Sequence, residues 1–210
     1  LSFIKSLVLE NDPILQKRGV FFDFQNPQED AAKLKKELIE AMVKYDGYGL
    51  SACQIGIDLK VFAMRIDDNA ICCFNPRITM YSEENTYIRE GCLSYPGLFF
   101  PVRRSYGINC NWAGDDGKLQ SETNYLDGLV HGFSNSYHSN GVQATKTVFS
   151  NGDKTGTETW WGDNGMKSYE TNYSNGMRNG LETIWDETGA ILSQLRFQEG
   201  KLVETVYKKK

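Results

Sequence analysis

The sequence predicts an α+β fold in its first half that runs into an antiparallel β-hairpin array in its second. Three observations predict it. One apolar stripe at helical spacing precedes a set of short β-rich runs, and from about residue 108 a turn pattern recurs every 24 residues. A chain of 210 residues has room for one to two domains. Lys and Arg number 23 against 27 Asp and Glu, a net charge of −4. That balance argues against nucleic acid or an anionic membrane as partner, since both select a surplus of basic residues. No apolar run approaches the ~18–20 residues of a membrane span. Residues Leu1–Lys5 lack the basic start and long apolar stretch of a secretory leader. The five cysteines, an odd number without such a leader, read as reduced thiols in a cytoplasm.

The elements follow in order. Asn26-Pro27 reads as a helix entry, with Glu29 and Asp30 in the first turn where the dipole favours acid. Leu34, Leu38, Met42 and Tyr45 then form one apolar stripe, which stops at Gly47. Lys60–Ile66, Ile71–Phe74 and Tyr87–Ile88 are the β-rich runs. The composition changes near residue 105. All the prolines lie at or before Pro101, and all four tryptophans lie in the second half. Two domains are expected, 1–107 and 108–210, with a strand pair reaching about residue 127 shared between them.

In the second piece Asp127-Gly128, Asn151-Gly152, Asn175-Gly176 and Glu199-Gly200 open successive blocks. Gly132, Gly156 and Gly180 hold a second slot, and Gly141, Gly165 and Gly189 a third. Tyr137, Trp161 and Trp185 share one aromatic register, and Phe149, Tyr173 and Phe197 another. Asn-Gly and Asp-Gly favour type I′ turns, which need positive φ at both central residues. Each block is therefore read as a β-hairpin and the array as a meander in which aromatics stack in ladders. This part resembles the MORN-type hairpin repeat family over about 108–207, which implies an interaction surface.

Two motifs in the first piece carry chemistry. Residues 47–56 read Gly-Tyr-Gly-Leu-Ser-Ala-Cys-Gln-Ile-Gly, a glycine-flanked loop with a polar Gln among small residues. It is no nucleotide loop, because the phosphate-binding Lys and the strand–GxGxxG–helix order are missing. Residues 90–97 read Glu-Gly-Cys-Leu-Ser-Tyr-Pro-Gly, a tight loop bearing a thiol. Taken alone, that cysteine fits a core residue, a metal ligand or a nucleophile.

Together the motifs resemble peptide deformylase over about residues 6–127. Asn11–Leu15, Phe74-Asn75-Pro76 and Val102-Arg103-Arg104 add to the resemblance. It implies removal of formyl from N-formyl-methionyl peptides with Fe2+ or Zn2+. Cys92 matches the thiolate metal ligand. Gln54 and the backbone N–H of Leu93 match the pair of donors at the developing oxyanion. Gly49, with Leu50 beside it, matches the strand that pairs with the peptide. Glu90 reads as a structural ion-pair residue.

The family's third motif, a helical His-Glu-x-x-His, supplies two imidazole ligands and a proton-shuttling Glu. Where it should stand, the chain reads Leu126–His138, which is hairpin sequence. The only two histidines are His131 and His138, with Gly132 and no Glu between them. They read as turn or strand-end residues; the alternative is that they join Cys92 on a metal. One thiolate cannot hold a catalytic ion alone. The expectation is thus a deformylase-like protein, impaired as a single chain, that binds the ion poorly and retains a groove for formyl-Met peptide. A protein partner would engage the repeats or the open groove. The alternatives are an active deformylase with non-standard ligands or ligands from another subunit, and a repeat-based interaction protein.

Overall fold

A computed structural model describes residues 4–66 and 69–209. One α-helix, α1 (Ala31–Lys44), and two short 3-10 helices (Pro13–Gln16 and Ala52–Ile55) stand among the strands. The strands are β1 (Gly49–Ser51), β2 (Val61–Ile66), β3 (Asn69–Tyr81), β4 (Asn85–Cys92), β5 (Tyr95–Ser105), β6 (Gly107–Ala113), β7 (Leu119–Leu126) and β8 (Leu129–Tyr137). They continue as β9 (Gln143–Ser150), β10 (Asp153–Trp161), β11 (Lys167–Ser174), β12 (Met177–Arg178), β13 (Gly180–Trp185), β14 (Ile191–Gln198) and β15 (Lys201–Lys208). The structure is mostly antiparallel β. Two compact units divide it. The first holds residues up to Arg77, with Asn85–Arg104 and Trp112–Lys118; the second holds Ile78–Glu84, Ser105–Asn111 and Leu119 onward.

In the first unit α1 starts later than the Asn26-Pro27 signal suggests. The Asp30 side chain accepts from the Lys33 N–H at 2.7 Å and makes Asp30 the N-cap. Upstream, the Asp23 carboxylate takes the N–H groups of Gln25 and Asn26, which holds that segment in a turn. Of the expected stripe, Tyr45 is the C-cap just past the helix and only half-buried, whereas Leu34, Leu38 and Met42 are fully buried, with Ala41 beside them. They pack with Leu50, Val61, Ala63 and Phe74 of the sheet, where β1 pairs β2 and β2 pairs β3, all antiparallel. Phe22, Phe24 and Phe74 form an aromatic cluster, with centroids 4.8–5.6 Å apart. Asn75, at φ 49°, bonds both the N–H and the carbonyl of Phe22 through its side chain. A separate two-stranded sheet, β4–β5, closes through a turn at Leu93-Ser94.

In the second unit each strand from β7 to β11 pairs with the next, and β13, β14 and β15 continue the series. Asp127-Gly128, Asn151-Gly152, Asn175-Gly176 and Glu199-Gly200 all have positive φ at both residues, the geometry a two-residue hairpin turn demands. Gly132, Gly156 and Gly180 each lie opposite an aromatic residue: Phe149, Tyr173 and Phe197. The buried residues of this unit are mainly polar, among them Thr123, Thr147, Glu158, Thr171 and Glu182. Lys154 and Arg178 reach Glu158 and Glu182 at 2.7 and 2.9 Å, while lying over the Tyr173 and Phe197 rings.

Candidate functional site

The two motifs meet in the first unit around an open groove of about 490 Å³. After α1 the Gly47 N–H returns to the Met42 carbonyl, and β1 follows at once. A Cβ on Gly47 would stand 2.6 Å from Leu93 Cδ1, so the two motif segments are in close contact there and a side chain at 47 would push the end of Leu93 aside. The sequence read 47–56 as a loop. It is instead a short strand paired with β2, then a 3-10 turn ended by left-handed Gly56. The motif read as a tight loop at 90–97 is the closed end of the β4–β5 hairpin.

Gln54 lies on the 3-10 turn. Its Oε1 accepts from the Ser51 N–H at 2.9 Å, which directs Nε2 across the groove. Nε2 donates to Ser94 Oγ at 3.1 Å and to Cys92 Sγ at 3.7 Å. Cys92 is exposed, whereas Cys72 and Cys73 are buried and Cys53 and Cys110 half-buried. Burial pushes the Cys72 thiol up to about 12 and raises those of Cys53 and Cys110. Gly49 and Leu93 also line the groove. The Leu50 side chain does not; it is buried in the core, so only its backbone is available from β1. Tyr48, Leu98 and Phe99 give the groove exposed apolar surface.

Two supports escaped the sequence reading. Ser94 is buried and accepts from Gln54; its place two residues after the thiol was the available signal. Tyr95 Oη donates to the Glu10 carbonyl at 3.0 Å and ties the hairpin to the N-terminal segment. Glu90 is clamped by Arg104 through two hydrogen bonds of 2.7 and 2.6 Å, which hold its carboxyl below the usual carboxylate range. His131 and His138 belong to the second unit. His131 Nδ1 lies 3.1 Å from Asn151 Oδ1, and His138 Nε2–H donates to the Trp161 carbonyl at 2.8 Å. Neither lines the groove.

A helix-backed antiparallel sheet with this thiol-and-amide groove defines a deformylase-type fold. The peptide deformylase of Thermotoga maritima has it: its crystal structure superposes with a TM-score of 0.54 and 30% identity, covering 60% of this chain and 83% of that one. A probable peptide deformylase from Synechococcus phage S-SSM7 gives a TM-score of 0.50 at 29% identity, over 58% of this chain and 84% of that one. By sequence, the peptide deformylase of Pseudothermotoga lettingae is 36% identical over 125 residues, 59% of this chain and 70% of the relative. That of Thermotoga maritima is 34% identical over 114 residues, covering 53% and 66% respectively. Residues 4–130 match the polypeptide deformylase family model, and the chain belongs to that family.

The family depends on Fe2+ or Zn2+, so the donor set at Cys92 can be tested. A catalytic ion needs about three protein ligands and an open position. Among the described residues no group of three or more His, Cys, Asp or Glu side chains is arranged to hold an ion. The side chains that Gln54 bonds in the groove are the Cys92 thiol and the Ser94 hydroxyl. This set does not fit a catalytic metal.

Proposed function

We propose that the chain is a catalytically impaired deformylase-family protein that binds N-formyl-methionyl peptides in the cytoplasm. Its C-terminal part, about 108–210, acts as MORN-type hairpin repeats of 24-residue period that take a protein partner, and residues 1–107 are the deformylase-like domain. The observation that carries the reading is the pairing of Cys92 with Gln54, without a second and third metal donor beside them among the described residues. The peptide lies along β1 at Gly49 and Leu50, adding a strand through backbone hydrogen bonds. Gln54 Nε2 and the Leu93 N–H donate to its carbonyl oxygen. Such donors lower a barrier only when a nucleophile attacks, and an activated water at neutral pH needs the ion.

The test pairs turnover with metal content. Purified protein is given a formylated Met peptide with Fe2+, Ni2+ or Co2+. The expected results are hydrolysis no faster than the metal salt alone and less than one stoichiometric ion after desalting. Turnover at the level of an ordinary deformylase, lost in Cys92→Ala, would overturn the reading. The second reading is an active deformylase whose missing ligands come from another subunit. The exposure of Cys92 in an open groove favours it, and stoichiometric metal retained by an oligomer would establish it.

A further inference from the structure

The second unit contains five Asn-Gly steps: Asn140-Gly141, Asn151-Gly152, Asn164-Gly165, Asn175-Gly176 and Asn179-Gly180. All five asparagines are exposed, so exposure does not distinguish them. Hydrogen bonding does. Asn140 Oδ1 accepts from the Val142 N–H at 2.9 Å, and its Nδ2 donates to the Asp163 carbonyl at 2.6 Å. Asn164 repeats the arrangement with the Met166 N–H and the Glu187 carbonyl, at 2.9 and 3.5 Å. The nitrogens of Gly141 and Gly165 donate to the carbonyls of His138 and Gly162. Asn151 is held against His131. Among the described residues, the side chains of Asn175 and Asn179 have no hydrogen-bond partner. They bracket the two-residue strand β12.

We infer that the segment 175–180 is a site of spontaneous deamidation, with Asn179 reacting first, Asn175 second, and Asn140 and Asn164 protected by the fold. In the reaction the backbone nitrogen of the following glycine attacks the side-chain carbonyl carbon. The new N–C bond forms as the bond to Nδ2 breaks. The glycine amide proton leaves with that nitrogen, and ammonia departs. Water then opens the cyclic imide at either carbonyl, giving aspartate or isoaspartate. The attack requires a side chain free to swing back toward the chain and a glycine with no Cβ in the way. Asn175 is slower than Asn179 for two reasons. Its φ of 49° is left-handed, and the Gly176 N–H already donates to the Lys154 carbonyl at 2.9 Å. Asn179 lies in the break between β12 and β13, outside the left-handed region. Conversion of Asn179 places a carboxyl on the residue that follows Arg178, which bonds the buried Glu182.

Trypsin separates the sites. Cleavage after Arg178 puts Asn175 on peptide 168–178 and Asn179 on 179–196, while Asn151 and Asn164 fall on 147–154 and 155–167. Full-length protein is aged in mildly alkaline buffer, native and in guanidinium, and amide-to-acid conversion is followed by peptide mass spectrometry. In the native protein the 179–196 peptide should convert about tenfold or more faster than the Asn140 and Asn164 peptides, the factor set by breaking two ordinary hydrogen bonds first. In guanidinium the five should converge. Equal native rates at Asn140, Asn164 and Asn179 would refute the inference. So would an unfolded-state ranking that already matches the native one, or a native protein in which neither Asn175 nor Asn179 converts.

Discussion

The two units bury different chemistry. In the first, the side chains most removed from water are Phe74, Leu34, Leu38 and Met42. In the second they are chiefly Thr171, Glu158, Glu182, Thr123 and Thr147, with Phe197 the apolar exception. Hydrocarbon burial is non-directional and scales with area. Buried carboxylates hold only if each is matched in geometry by a cation or a donor. Glu182 meets that condition through Arg178 and the Tyr169 hydroxyl, and Glu158 through Lys154 and Thr147. The first unit therefore depends on volume and the second on register. The first also joins distant segments, as when Asn75 staples Phe22, whereas from β7 onward the second pairs strands that are neighbours in the chain.

Substitutions can break this contrast. The largest effect is expected at Phe74, which is fully buried against Phe22 and Phe24. Phe74→Ala should cost about 3–5 kcal/mol in urea denaturation. Glu182→Ala strands Arg178 and the Tyr169 hydroxyl and should cost about 1–3 kcal/mol; a loss equal to that of Phe74→Ala would erase the distinction. Gly156 has φ 63° and faces Tyr173. Gly156→Ala should cost about 1 kcal/mol through left-handed strain, and a neutral result would show that the turn geometry is not held there.

The smallest effect sharpens the comparison through pH. Burial and the hydrogen bond to Glu122 raise the Tyr137 hydroxyl from 10.0 to about 12. The native state thus holds this proton more tightly than the unfolded chain. Its contribution is complete below pH 10 and is lost as pH rises toward 12. Tyr137→Phe should flatten that limb of the stability curve, read by denaturation across alkaline buffers.

Legibility in the sequence followed the physics of each part. Leu34, Leu38 and Met42 of the stripe were legible because helical spacing records a buried face; Tyr45 was not, because the helix ends just before it. The start of the helix was misplaced because Asn26-Pro27 has the form of an entry and Asp30 that of a first-turn acid, whereas Asp23 ties Asn26 into a turn and Asp30 is the cap. At the site, Cys92 and Gln54 could be named from their motifs, and the structure places them in contact distance. Leu50 carried no sign that its side chain turns to the core, since a three-residue strand is too short to display alternation. The Ser94 bond to Gln54 spans 40 positions, beyond any local pattern.

The pinned oxygen of Gln54 has a further consequence. With Oε1 held by the Ser51 N–H, the amide turns its nitrogen outward as a proton giver, whose two hydrogens rest on Ser94 and Cys92 until a better acceptor takes one. A visitor that brings a carbonyl to this point is welcomed and one that brings an ammonium is not, a polarity filter set by one main-chain contact.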